Sequence, residues 1–356
     1  ESVAATPATV RFFGRTYADK DFHYFNWPAS GFEFTFWGTR AEATFMTSET
    51  QKPERFPRLA VFVDGSLEPD AGTLLVIRPG VTDYVLAEGL PGGVHSIRVI
   101  KLSGNFIGGN INEDKSLTCT VGVGRLTCPD GRLLAPPAAP QRRLEFIGDS
   151  ITVGMGILGE GGLEADDAWR TYAAYTARQF GADLQVLAIS GMGLISSLFG
   201  GPFIQLPDEF PYTDNLNRPR MAWDPSAYVP QVVVVNLGTN DAAGVGDGKR
   251  FTTGEFEDAY LAFLLDIRDA YPGVRVVGTL GAMSTGRLHL YPWVENAVAR
   301  ANDAAGETFA FALELIEDQA GDGVGGGGHP SGKAHIRHGE ALTALVASIT
   351  GWEPAA

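Results

Sequence analysis

The chain has 356 residues and a formal net charge of −15, with 44% hydrophobic and 19% charged positions. That is a globular composition with material for two or three domains. The acidic balance excludes a generic nucleic-acid binder or a ligand of anionic membranes, since both need clustered Lys and Arg. No apolar run is long enough for a membrane-spanning helix.

The first 135 residues read as all-β. Val10–Phe13, Gly31–Trp37 and Leu59–Val63 are short runs of β-formers. Turn pairs such as Asp64-Gly65, Pro79-Gly80 and Gly92-Gly93 separate the strands, as in a sandwich or jelly roll. Cys119 and Cys128 bracket a strand-like segment with Gly124 at its bend. They are either a hairpin-bridging disulfide or two separate buried thiols.

Residues 136–141, with three prolines within five residues of that stretch, form a stiff linker. The grammar then changes over 142–356. Leu144–Ile147, Leu184–Ile189, Gln231–Leu237, Val274–Leu280 and Phe309–Ile316 read as strands. Ala168–Phe180, Phe256–Ala270, Val294–Ala304 and Lys333–Ile349 read as helices. This alternation predicts an α/β domain with a doubly wound parallel sheet.

In such a sheet, ligands bind beyond the carboxyl ends of the strands. Four loops there carry chemistry: Gly148-Asp149-Ser150, Ser190-Gly191-Met192-Gly193, Gly238-Thr239-Asn240-Asp241 and His329-Pro330. Together they offer a hydroxyl, backbone donors beside glycines, a side-chain amide and an imidazole, the parts of a nucleophilic acyl-transfer site. Ser150 is the candidate nucleophile and His329 its base. The backbone N–H groups of Ser150 and Gly191 and the amide of Asn240 are candidate oxyanion donors. Gly193 reads more simply as a tight-loop glycine, and Asp149 and Asp241 as loop and cap residues. His335 and His338 share a helix face, but no Cys or carboxylate pair completes a metal set with them.

In order, Phe146-Ile147-Gly148-Asp149-Ser150, Ile189-Ser190-Gly191, Gly238-Thr239-Asn240-Asp241 and His329-Pro330 resemble the four blocks of the SGNH hydrolase (GDSL-type esterase) superfamily. Phe13-Gly14-Arg15-Thr16, Trp27-Pro28-Ala29-Ser30-Gly31, Phe62-Val63-Asp64-Gly65 and Gly93-Val94-His95 resemble the jelly-roll domain of carbohydrate esterase family 2. The resemblance implies an acetyl esterase of plant polysaccharides such as xylan and glucomannan. It implies a Ser150–His329 site, no cofactor or metal, and a secreted or periplasmic location. The N-terminus carries no charged-then-apolar leader segment, which a processed mature form and a trimmed piece of a longer chain explain equally well.

The sequence departs from the superfamily at one place. Most members carry an Asp three residues before the His, where this chain has Gly326. Either Asp322, or less directly Asp318, folds back to orient His329, or the site is a Ser–His dyad held by a backbone carbonyl. The family contains such dyads. Trp169, Tyr212, Trp223, Tyr291 and Trp293 are aromatics that could stack on sugar rings, and 199–212 reads as a substrate-facing insertion. Two rival readings keep their place: an esterase of other small acyl esters, and a non-catalytic carbohydrate-binding protein. Oligomeric state has no signature in the sequence.

Overall fold

The computed structural model describes residues 1–47, 53–105, 119–198, 205–214, 220–281, 283 and 290–355. The first part folds as two facing antiparallel sheets. One runs Thr16–Asp19, Phe22–Phe25, Val121–Thr127, Ala41–Thr47, Gly80–Ala87, with Ser2–Ala4 beside Val121–Thr127. The other runs Arg132–Leu133, Gly31–Gly38, Gly93–Lys101, Arg58–Val63, Thr73–Val76, with Arg11–Phe13 beside Gly31–Gly38. Alternation explains the sandwich. Phe32, Phe34 and Phe36 point to one side of their strand and meet Phe25, Phe45, Val121 and Val123 of the facing sheet.

Residues 121–127 form one continuous strand rather than a hairpin, with a bulge between Val123 and Arg125. Its seven residues hold Cys119 and Cys128 apart by about 20 Å at the usual rise. A disulfide needs Cα atoms within about 7 Å. Neither cysteine is in a disulfide and both are buried, which settles the open choice in favour of separate thiols.

The second part is a five-stranded parallel sheet in the order Asp183–Ala188, Arg143–Gly148, Val232–Asn236, Arg275–Gly281, Ala310–Leu315. By chain order this is 2-1-3-4-5, a doubly wound topology whose switch point falls beside the first strand. Val232–Val235 are wholly buried, as a β-branched run between two helical layers requires. Thr253–Ala270, Tyr291–Ala305 and Gly332–Thr350 are the long helices. The helix expected over 168–180 is broken. Ala168–Arg170 is a single 3-10 turn, and the α-helix is Tyr172–Gln179. The cause is Thr171, whose hydroxyl accepts from Ala174 N and donates to Ala168 O, restarting the backbone.

The two parts share core. Phe13, Ala60, Phe62 and Ile100 pack with Leu144, Phe146 and Trp169 in one apolar cluster, and Trp27 enters the other cluster under the sheet. Polar contacts are equally direct. Arg11 bridges Glu33 and Asp183, Trp27 Nε1 donates to Thr213 O at 2.8 Å, and Trp169 Nε1 donates to Leu67 O at 2.7 Å. Arg15, from the family-like Phe-Gly-Arg-Thr motif, runs beneath the sheet and donates to the carbonyls of Phe210 and Tyr212.

Candidate active site

The first strand ends at Gly148, and a single helical turn, Ser150–Val153, follows at once. Asp149 caps that turn by accepting from Ile151 N at 2.9 Å. Ser150 thereby sits at the carboxyl edge of the sheet, 6% exposed. Its Oγ lies 2.8 Å from Nε2 of His329, which is 8% exposed. Burial lowers the His329 pKa below the ordinary imidazole value, so the ring is neutral and can accept a proton.

The other ring nitrogen, Nδ1, is 3.1 Å from the carbonyl oxygen of Gly326. The accepting carbonyl makes Nδ1 the protonated nitrogen and leaves Nε2 free for the serine. Gly326 occupies the position where the superfamily has Asp, and no side chain would fit. A Cβ there would lie 2.1 Å from Gly159 O. Asp322 does not serve His329. Its Oδ2 accepts from Nε and Nη2 of Arg337 at 2.8 and 2.5 Å. Beside that guanidinium its pKa is held below the usual carboxylate value. Asp318 caps a short turn through Gly321 N. Of the two expected arrangements, the geometry is that of the dyad.

Gly191 follows the second strand with φ +82°, a left-handed conformation suited to glycine. The N–H groups of Ser150 and Gly191 have no hydrogen-bond acceptor among the described residues. Both are thus available to a developing oxyanion. Asn240 Nδ2 donates to Met192 O at 2.8 Å and to Asp149 Oδ2 at 3.2 Å. The first bond fixes the amide orientation, and the longer second one is the one an oxyanion would compete for. Asp241 is wholly buried and accepts from the N–H groups of Leu194, Ile195 and Ser196, so it shapes the Gly191–Ser196 loop. Gly193 belongs to that tight loop: a Cβ would lie 2.0 Å from Ser196 O. Burial pushes the Asp149 carboxyl up to about 7.

His335 and His338 are structural. His335 Nδ1 accepts from Tyr172 N, its ring stacks on Tyr172, and burial pushes its pKa down to about 3. His338 Nε2 donates to Ile316 O. Among the described residues no group of three or more His, Cys, Asp or Glu could hold a metal ion.

Most candidate aromatics pack. Trp169 lies against Phe62, Trp293 against Phe256, Trp223 against the Arg15 guanidinium, and Tyr212 under Arg220. Tyr291 lines a cleft of about 400 Å³ with Leu280, Gly281, Leu290, Glu295 and Glu314. Of the expected insertion, 199–204 lies outside the described residues, and Leu206–Glu209 is a short helix. Sequence reasoning passed over Glu160, whose carboxylate accepts from Gly327 N beside the histidine. Nothing in its sequence neighbourhood, Gly159-Glu160-Gly161-Gly162, marks it.

Residues 146–335 match the GDSL-like lipase/acylhydrolase family, and the chain belongs to that family. Residues 12–117 match the carbohydrate esterase 2 N-terminal domain, so the organisation is that of the family 2 carbohydrate esterases. The cellulase/esterase CelE of Acetivibrio thermocellus is 30% identical over 92% of this chain. An acetylxylan esterase/glucomannan deacetylase of Cellvibrio japonicus is 31% identical over 65% of it. The chain spans only 38% and 59% of the lengths of these two relatives. A family two carbohydrate esterase from Clostridium thermocellum, solved in complex with cellohexaose, superposes with a TM-score of 0.83 at 29% identity. That match covers 96% of this chain and 99% of the other.

Proposed function

We propose that this chain is a carbohydrate acetyl esterase that removes O-acetyl groups from plant polysaccharides such as xylan and glucomannan. The observation that carries the reading is the 2.8 Å contact of Ser150 Oγ with His329 Nε2, backed by the Gly326 carbonyl on Nδ1. The named activities of the two curated relatives support the substrate class. Ser150 Oγ attacks the acetyl carbonyl while His329 Nε2 takes its proton. The oxyanion is met by the N–H groups of Ser150 and Gly191 and by Asn240 Nδ2. His329 passes the proton to the departing sugar oxygen. It then takes a proton from the water that attacks the acetyl-serine and returns it to Ser150 Oγ as the acyl bond breaks and acetate leaves.

No cofactor enters this scheme. We assign the catalytic domain to 142–356 and the β domain to 1–135, joined by the linker at 136–141. A polysaccharide substrate supports a location outside the cytoplasm, secreted or periplasmic. No helix among the described residues is long and apolar enough to cross a membrane.

The test is acetate release from acetylated xylan and acetylated glucomannan by wild type and Ser150→Ala. Release by wild type alone is expected. Cleavage of a simple aryl acetate with neither polysaccharide touched would overturn the substrate class and keep the mechanism. No hydrolysis of any of the three would overturn the esterase reading in favour of carbohydrate binding.

A further inference from the structure

The Gly-rich turn before the histidine is clamped from one side by residues 156–160. Gly326 N donates to Gly156 O at 2.8 Å. One residue on, Gly327 N donates to both carboxylate oxygens of Glu160, each at 3.3 Å. The N–H of Gly327 and the C=O of Gly326 belong to one planar peptide group. That same carbonyl receives the His329 Nδ1 proton. A continuous path therefore runs from the Glu160 carboxylate through one peptide unit to His329, and from its Nε2 to Ser150 Oγ.

We propose that Glu160 is a positioning residue that acts through the Gly326–Gly327 peptide as a remote stand-in for the missing triad acid. Hydrogen bonds in series polarise one another. An anion on the N–H side makes the peptide carbonyl a stronger acceptor. That stronger acceptor stabilises the imidazolium formed when His329 takes the serine proton. The steric constraint explains the detour. A carboxylate cannot stand at position 326, because a Cβ there meets Gly159 O, but one can approach from the far side of the same peptide.

The other ionisable groups around the ring do not take this part. His335, packed behind it, is buried and neutral. Glu317, Asp318, Asp322 and His338 border the shallow dimple that His329 shares. Asp322 is taken by Arg337, Asp318 by Gly321 N, His338 by Ile316 O, and Glu317 accepts from Gln319 Nε2. The side chain of Glu160 is exposed, so its charge is partly screened.

The inference rests on the Ser–His reading, and the experiment separates the two. Glu160→Gln keeps an oxygen acceptor for Gly327 N and removes the charge. Its expected kcat on an aryl acetate is about two- to fivefold below wild type at unchanged KM, the scale of an exposed charge interaction. The acidic limb of kcat/KM moves to lower pH, because imidazolium loses its counter-charge. The gap between the two proteins closes in about 1 M salt, where the screening length is about 3 Å. A Glu160→Gln enzyme with wild-type kcat and an unmoved acidic limb would reduce Glu160 to a brace, even if Glu160→Ala melted earlier. Ser150→Ala run alongside reports on the foundation. If it is inactive, the Gln variant judges the relay alone, and if it stays active, the dyad and the relay both fall.

Discussion

The guanidinium of Arg15 donates to the carboxylate of Glu145 at 3.1 Å, and neither side chain touches solvent. Arg15 comes from the β-sandwich and Glu145 from the first strand of the hydrolase sheet, Arg143–Gly148, 130 residues further along the chain. The same guanidinium holds the carbonyls of Phe210 and Tyr212, and Gln185 Nε2 supports Glu145 at 2.7 Å. The sandwich is thus wired into the underside of the catalytic domain. Losing one partner of a buried pair leaves the other's charge buried and uncompensated, which costs about 3–5 kcal/mol. Arg15→Met is expected to lower Tm by several degrees or to leave little folded protein, read by thermal unfolding. A Tm equal to wild type would refute the coupling.

Asn240→Ala tests the oxyanion assignment. One amide donor aimed at developing charge is worth about 10²–10³ in kcat. The expected result is a fall of that size with KM within about twofold, since the amide acts on the transition state and not on the bound ester. Asn240 also braces Met192 O and Asp149, so a thermal melt of the variant should accompany the kinetics. A loss confined to KM would place Asn240 in substrate binding instead.

The absent acid gives an asymmetric pair of outcomes. Asp322→Asn removes a charge that faces Arg337 and not His329, and kcat should stay close to wild type. Gly326→Asp inserts the superfamily's usual residue, yet it should lower both stability and activity. Its Cβ would collide with Gly159 O and displace the carbonyl that orients His329. A Gly326→Asp enzyme faster than wild type would show that the loop can yield.

The pH profile follows from the histidine's burial. His329 works as a base only when neutral, so acid inactivates the enzyme by protonating it. Burial disfavours the imidazolium and lowers this pKa, so more acid is needed. The midpoint of the acidic limb of kcat/KM is expected below the ordinary histidine value of about 6.5. A midpoint above it would mean that an anion outweighs burial at this ring.

Much of this molecule is legible along the chain. The strands of the parallel sheet read directly from runs such as Val232–Val235, because a strand buried on both faces admits little but apolar residues. Ser150, Gly191, Asn240 and His329 could be singled out because each follows a strand or precedes the last helix, and topology sends those ends to one edge. The sandwich strands read from period-two alternation, as in Phe32, Phe34 and Phe36. These are local rules, satisfied within a few residues.

What remained hidden depends on contacts between distant segments. The break at Thr171 is a contest between a side-chain cap and a continuing helix, and propensity alone does not resolve it. Whether Asp322 turned to His329 or to Arg337 was a question of where a glycine run leads, and glycines leave that path open. That Arg15 would serve a buried ion pair, and that Glu160 would meet the far side of the histidine's supporting peptide, required partners 130 and 167 residues away. The chemical groups of the site are written in the sequence, but their orientation comes from packing, because only the folded chain brings the backbone carbonyls and remote charges into register.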